Sequence, residues 1–330
     1  MTRIIAGDIG GTKTLLRLEQ KTGSERQTLG ESLYVSANYA HLNDIVADFL
    51  HQVGGERPQA ACFAIAGPVV SGTSQLTNLS WYLEEHQMSK ALEIPQVRLI
   101  NDFAAVGYGI LALQPEDQVI LQDQPRVAKA PIAVIGAGTG LGQALLIWQG
   151  QDYDVLAIEG GHSDYAPRTD LEIGLLQYLR RRHHRVSVER VVSGQGIYAI
   201  YEYLRDTQVA PESADIKARM AEQDPAAVIT QAALAGLDPL CQKTLNLFVS
   251  AYGAEAGNLA LKSLPYGGVY IAGGIAPKIL PSLQDGCFMD SFMDKGRLNT
   301  LLATLRVTII LNSKLGLIGA ALYAHRLLKS

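Results

Sequence analysis

Short apolar runs alternate with helix-spaced stripes along the whole chain. Residues 3–9 and 14–18 predict two strands, with a glycine-rich turn folding one onto the other. Leu42, Ile45, Val46, Phe49, Leu50 and Val53 recur at the spacing of one helical face, so 42–53 predicts a helix. The unbroken apolar run 60–66, stopped by Gly67-Pro68, suits a buried strand. Residues 97–100 give another short strand, and 103–113 a helix after it. Farther on, 132–135 and 143–148 predict strands around a second glycine-rich turn, and helical passages follow near 170–183 and 194–205. The stretch 226–261 reads as helical with a break at Pro239. Residues 269–272 and 307–311 are strands, and 315–328 closes the chain as a helix. Strands alternating with helices predict an α/β protein.

One passage repeats another. IIAGDIGGTKTLLRL and IAVIGAGTGLGQALLIW share the order apolar strand, Gly/Thr-rich turn, apolar strand. Two such hairpins in one chain point either to a duplicated α/β unit or to two independent turns.

Composition narrows the class. A chain of 330 residues exceeds the usual single compact unit, so two domains are the default. Apolar residues make up 48% and charged ones 18%, which excludes a disordered or coiled-coil protein. The net charge of −4 argues against a broad nucleic-acid footprint. Three scattered cysteines, Cys62, Cys241 and Cys287, form neither a disulfide framework nor a zinc motif, and fit a reduced cytoplasmic setting. The uncharged middle stretch is broken by Pro131 and several glycines, a poor membrane span.

The candidate chemistry begins at the two turns. Gly7-Asp8-Ile9-Gly10-Gly11-Thr12 resembles a P-loop, but Thr12 separates the glycines from Lys13-Thr14 and a strand follows. Gly138-Thr139-Gly140 lacks the spacing of a dinucleotide fingerprint. Glycine nevertheless lets backbone N–H groups converge on phosphate oxygens, with Thr12 and Thr139 adding hydroxyls. Asp8 is a candidate for orienting hydrated Mg²⁺. The alternative is a pair of tight turns without a ligand.

Asn101-Asp102 ends an apolar strand, where α/β sheets collect ligands. An acid there serves either as a helix N-cap or as a general base. Glu159-Gly160-Gly161-His162 brings two groups suited to hydroxyl-rich ligands together, or is a glycine turn with a surface histidine. Glu189 alone reads as a helix-start acid, and Asn78 and Trp81 as a polar wall or a packed corner. The run 180–185 reads as a solvated basic helix end, with anion contact the minor alternative.

Taken in order, GDIGGT, LTNLSW, INDF, GAGTGLG, EGGHSDYAP, VERVVSG and IAGGIAP resemble the bacterial glucokinases, group A of the hexokinase family. The resemblance spans nearly the whole chain. It implies the actin-like ATPase (ribonuclease H-like) fold, with two α/β domains flanking a cleft: a small one at 1–112 plus 305–330 and a large one at 113–304. It also implies ATP and Mg²⁺, transfer of the γ-phosphoryl to the 6-hydroxyl of glucose in glycolysis, and a homodimer. By position, Asp102 is the base, and Asn78, Asn101, Asp102, Glu159, His162 and Glu189 bind the sugar. Gly7, Asp8, Ile9, Gly10, Gly11, Thr12, Gly138, Thr139 and Gly140 cradle the ATP phosphates, Asp8 attends the metal, and Gly273 and Gly274 lie near adenosine. Lys13 stands where this group often has Asn, and GGTK is more usual in the related ROK family. That family's cysteine-rich zinc motif is missing, so the zinc-free group fits better. Two rival readings are a kinase of another hexose or with polyphosphate as donor, and a non-catalytic sugar-sensing regulator.

Overall fold

The computed structural model describes every residue except 24, 55–56, 77–78 and 329–330. Two units emerge, Met1–Pro115 with Asn312–Ser330, and Glu116–Leu311.

In the first unit, β1 (Thr2–Ile9) and β2 (Lys13–Thr22) form the expected hairpin, and β3 (Glu25–Val35) extends it. On the other side of β1 lie β4 (Ala60–Ile65) and β7 (Gln96–Asn101), both parallel to it, giving the order β3-β2-β1-β4-β7. A separate hairpin pairs β5 (Thr73–Leu76) with β6 (Trp81–Glu84). Strand β4 is buried at every position, as a central strand covered on both faces must be. The Leu42–Val53 helix turns Leu42, Ile45, Val46 and Phe49 into one core, where Trp81 is also buried. The corner reading of Trp81 therefore holds. The Leu315–Leu327 helix covers the opposite face with Leu317, Ala320, Ala321 and Ala324.

The second unit repeats the plan. Its strands are β8 (Gln118–Gln122), β9 (Ile132–Ala137), β10 (Leu141–Trp148), β11 (Tyr153–Ile158), β12 (Val269–Ala272) and β13 (Val307–Ile310). Their order is β11-β10-β9-β12-β13-β8. As β1 does in the first sheet, β9 pairs antiparallel with the next strand in sequence and parallel with a later one. The shared order favours duplication over two independent hairpins. Strand β13 hydrogen-bonds to β12 and β8, so the return to the first unit falls after Leu311 and not at 305.

Pro239 is the first residue of a helix, Pro239–Ser263, rather than a kink within one. Asp238 caps it, and a separate helix, Pro225–Leu234, precedes it. The uncharged middle stretch forms β9 and β10, and among the described residues no helix is long and apolar enough to cross a membrane.

Candidate active site

The first unit gathers its candidates at one sheet edge. Ile9 of β1 pairs with Ile65 of β4, which pairs with Asn101 of β7, so the carboxyl ends of three parallel strands lie in line. The Gly10–Thr12 turn and Asp102 leave that edge about two strand spacings, or roughly 10 Å, apart. Gly10 N–H donates to the Lys13 carbonyl and Ser36 N–H to that of Thr12, which pins the turn from both sides. Thr12 and Lys13 are exposed.

Asp8 is half-buried, and burial pushes its carboxyl above the ordinary value. It takes no hydrogen bond or ion pair from the described residues, and Gly316, in the first turn of the C-terminal helix, stands beside it. A carboxylate so placed suits a nearby cation, and a single acid with bound waters is enough for Mg²⁺. Among the described residues no group of three or more His, Cys, Asp or Glu converges as a metal cage.

Asn101, rather than Asp102, is the N-cap of the Asp102–Ile110 helix. Its Oδ1 accepts the N–H groups of Phe103 at 2.8 Å and Ala104 at 3.1 Å, and its Nδ2 donates to the Gly67 carbonyl at 3.1 Å. One amide hydrogen of Asn101 thus remains for a ligand. Asp102 is left as the first helical residue, half-buried, its Oδ1 2.8 Å from the Phe103 nitrogen. Asn78 lies outside the described residues.

The second unit collects its candidates around the start of β10. Glu189 Oε2 accepts the Leu141 N–H at 2.8 Å, and Oε1 takes no hydrogen bond from the described residues. Gly160 and Gly161 press onto the same strand. A side chain on Gly161 would overlap the Leu141 carbonyl oxygen, and one on Gly160 would overlap Gln143. Glycine at both positions is what lets the Gly160–His162 turn lie against β10 and the Val188–Arg190 turn that carries Glu189, with Glu159 and His162 both exposed. Arg185 donates to the His162 carbonyl at 2.6 Å and to Asp164 at 2.9 Å, while Arg182 binds Glu202 and stacks on Tyr178. At these two positions the basic run fastens neighbouring segments.

The second glycine turn is braced as well. Gly138 N–H donates to the Gly140 carbonyl and Gly194 N–H to that of Gly138, both at 2.8 Å. Gly273, at φ +83°, packs against Ala137, which brings the ends of β9 and β12 together. Beside these turns opens a cavity of about 690 Å³ lined by Gly138, Thr139, Gly194, Gly274 and polar side chains of Gln195, Asp224, Gln231 and Lys278. That is ample for a nucleoside. Two helix N-termini open on it, capped by Ser193 and Asp224, and such ends favour anions. The sequence reading missed Gln195, Asp224, Gln231 and Lys278. Asp224 and Gln195 carried only the signal of a helix cap, Asp224 itself and Ser193 before Gln195, and Gln231 and Lys278 carried none.

Comparison with known proteins identifies the family and the fold. The Glucokinase family model matches residues 5–327. A glucokinase of Nostoc sp. is 54% identical over 342 residues, covering 99% of this chain and all of the relative. The crystal structure of a glucokinase from an Antarctic psychrotroph superposes with a TM-score of 0.87 at 33% identity, covering 99% of both chains. A ROK family glucokinase from Streptomyces griseus, solved with glucose and AMPPNP, shares the fold at a TM-score of 0.66 and 20% identity, over 98% of this chain and 99% of its own.

Proposed function

The chain belongs to the glucokinase family and is a sugar kinase of the actin-like ATPase fold, and from that premise we propose that it moves the γ-phosphoryl of ATP to the 6-hydroxyl of glucose, giving glucose 6-phosphate and ADP. The observation that carries the reading is Asp102, a half-buried carboxylate in line with the Gly10–Thr12 turn along one sheet edge. Asp102 accepts the hydroxyl proton as the oxygen attacks phosphorus. Asn101 holds Asp102 at the helix start and offers its remaining amide hydrogen to the sugar. Glu159, His162 and Glu189 take the ring hydroxyls, and Asn78 is assigned to the sugar by its place in LTNLSW.

The Gly10–Thr12 turn and Thr139–Gly140 direct N–H groups and two threonine hydroxyls at the phosphates, while Gly7 and Ile9, assigned to the same cradle by the motif, are buried in β1 and paired in its ladders, so they support the turn from behind. Gly273 and Gly274 flank the adenosine, for which the 690 Å³ cavity leaves room. Mg²⁺ neutralises phosphate charge in such a transfer, and Asp8 is the residue that fits it. The ROK enzyme solved with AMPPNP supports ATP as donor. A cytoplasmic, glycolytic homodimer belongs to the same reading, with which the three free cysteines are compatible as far as the reducing compartment goes.

The test is a coupled assay over several hexoses with ATP, ADP or polyphosphate, run on the native enzyme and on Asp102→Ala. The variant should keep its circular dichroism and lose about 10²–10⁴-fold in turnover. Unchanged glucose phosphorylation would remove Asp102 from the base role. Preference for another hexose or for polyphosphate would move the activity to that substrate, and no turnover with any pair would favour the sugar-sensing reading.

A further inference from the structure

The Pro239–Ser263 helix carries two buried polar side chains three residues apart, and each reaches a different part of the second unit's site. The Tyr252 hydroxyl accepts the Ala137 N–H at 3.1 Å and lies 3.4 and 3.3 Å from the carbonyls of Ile135 and Ala272. It therefore ties together the ends of β9 and β12, just before Gly138 and Gly273. Glu255 points elsewhere. Its Oε1 accepts Gln143 Nε2 at 2.9 Å and its Oε2 accepts Asn258 Nδ2 at 3.0 Å. Gln143 is buried, and its amide oxygen packs so tightly on Gly160 that no side chain fits there.

We propose that Glu255 is a positioning residue for the sugar: through Gln143 it holds Gly160, and with Gly160 the flanking Glu159 and His162, while Tyr252 supports only the nucleotide turns. This rests on reading Glu159–His162 as sugar-binding. The physical argument is one of satisfaction. Without Glu255 the Gln143 N–H is a buried donor lacking an acceptor, an arrangement that is costly enough to turn the side chain away. Gly160 then loses the surface it rests on, and the turn spreads over several arrangements. Sugar binding must select one of them, and apparent affinity falls in proportion to its population. The β9 and β12 ends keep their own support from Tyr252, so nucleotide binding does not share the loss.

Steady-state kinetics of Glu255→Met test this. The glucose KM should rise roughly 5- to 100-fold, the range set by one unsatisfied buried group, with the ATP KM and kcat close to native. Glu255→Gln keeps an acceptor for Gln143 and should restore the glucose KM. Tyr252→Phe should show the opposite division, with a raised ATP KM and an unmoved glucose KM. A purely structural role would lower the melting temperature of Glu255→Met without that division. Equal rises in both constants, or an unchanged glucose KM in a folded variant, overturn the proposal. If Glu255→Met does not fold, Gln143→Met cuts the same link from β10 and decides on the same criteria. Glu159→Gln separates the two ideas. If it leaves glucose affinity intact, the sugar reading of the segment falls and the proposal with it. If it weakens glucose while Glu255→Met does not, only the positioning role fails.

Discussion

Glu189 accepts the Leu141 N–H through Oε2, and the same carboxylate lies against Gly140. One side chain thereby supports the end of the Gly138–Gly140 turn, and the short turn that carries it, Val188–Arg190, packs against Gly160–His162. A residue that reads in the sequence as an ordinary helix-start acid thus joins the turn proposed for the phosphates to the segment proposed for the sugar.

That double contact predicts a division between two substitutions. Glu189→Gln retains an acceptor for Leu141, so the turn survives and the ATP KM stays near native, while glucose loses a charged partner worth about tenfold or more in KM. Glu189→Ala removes the brace as well and should raise both constants. Steady-state kinetics with each substrate varied in turn measure the difference, and identical behaviour of the two variants would refute the coupling.

Gly319 sits inside the C-terminal helix where it crosses the Asp102–Ile110 helix, and a Cβ there would overlap the Ala105 carbonyl oxygen. Alanine normally stabilises a helix interior by about 1 kcal/mol over glycine. Here the obstacle is backbone that cannot turn aside, and overpacking costs about 1–3 kcal/mol. The steric cost should win. Gly319→Ala should melt several degrees lower and lose kcat/KM, because the displaced helix carries Asp102. A melting point raised by the substitution would show that the crossing yields easily.

Much of this architecture was legible in the sequence, for reasons that differ by element. The Leu42–Val53 helix shows a clean apolar stripe and falls where the spacing puts it. Strands β4 and β12 are apolar runs because both their faces are covered. Strand β3 was not legible: ERQTLGESLYV lies at a sheet edge, largely open to solvent, and never needs an apolar pattern. The glycine turns announced themselves by composition. Gln195, Asp224, Gln231 and Lys278 did not, since ordinary polar residues from two helices and a distant short turn become a cavity only once the chain is folded. Glu255 and Tyr252 were equally silent. Their partners lie 112 and 115 positions away, and no local pattern encodes such a pairing.

Acid should expose a second buried pair. His325 Nε2 lies 3.2 Å from Glu19 Oε2, both residues being nearly inaccessible. Burial alone would push the Glu19 carboxyl up, but the hydrogen bond from His325 and the charges of Arg17 and His325 carry it below its ordinary value of 4.5. A carboxylate lowered on folding adds stability that is complete above that ordinary value and is lost as pH falls through the folded one. Urea unfolding across the acid range should therefore weaken below 4.5. Glu19→Gln should shrink that acid loss while lowering stability near neutrality by about 3–5 kcal/mol, because Arg17 and His325 lose a buried charged partner. Glu31, also lowered, through Lys314 and Arg17 against its own burial, keeps the loss from vanishing. An acid limb of unchanged depth in Glu19→Gln would count against the pair.

Asn101 offers the sharpest probe of how the fold holds the proposed base. Its oxygen caps the helix that Asp102 begins, and its nitrogen ties that cap to the Gly67 carbonyl. Asn101→Ala should cost about 0.5–2 kcal/mol from the lost cap, and turnover should fall further than stability does, since Asp102 remains but is held less firmly. Asn101→Asp restores an acceptor for Phe103 and Ala104, so much of the stability should return. It also places a second negative charge beside Asp102, and a like charge favours the protonated form of its neighbour. The base would then be lost at higher pH. The acid limb of kcat/KM should move upward in Asn101→Asp and stay in place in Asn101→Ala, a contrast that capping alone cannot produce. If the two limbs coincide, Asp102 does not govern the reaction's pH dependence, and the proton must leave by another group.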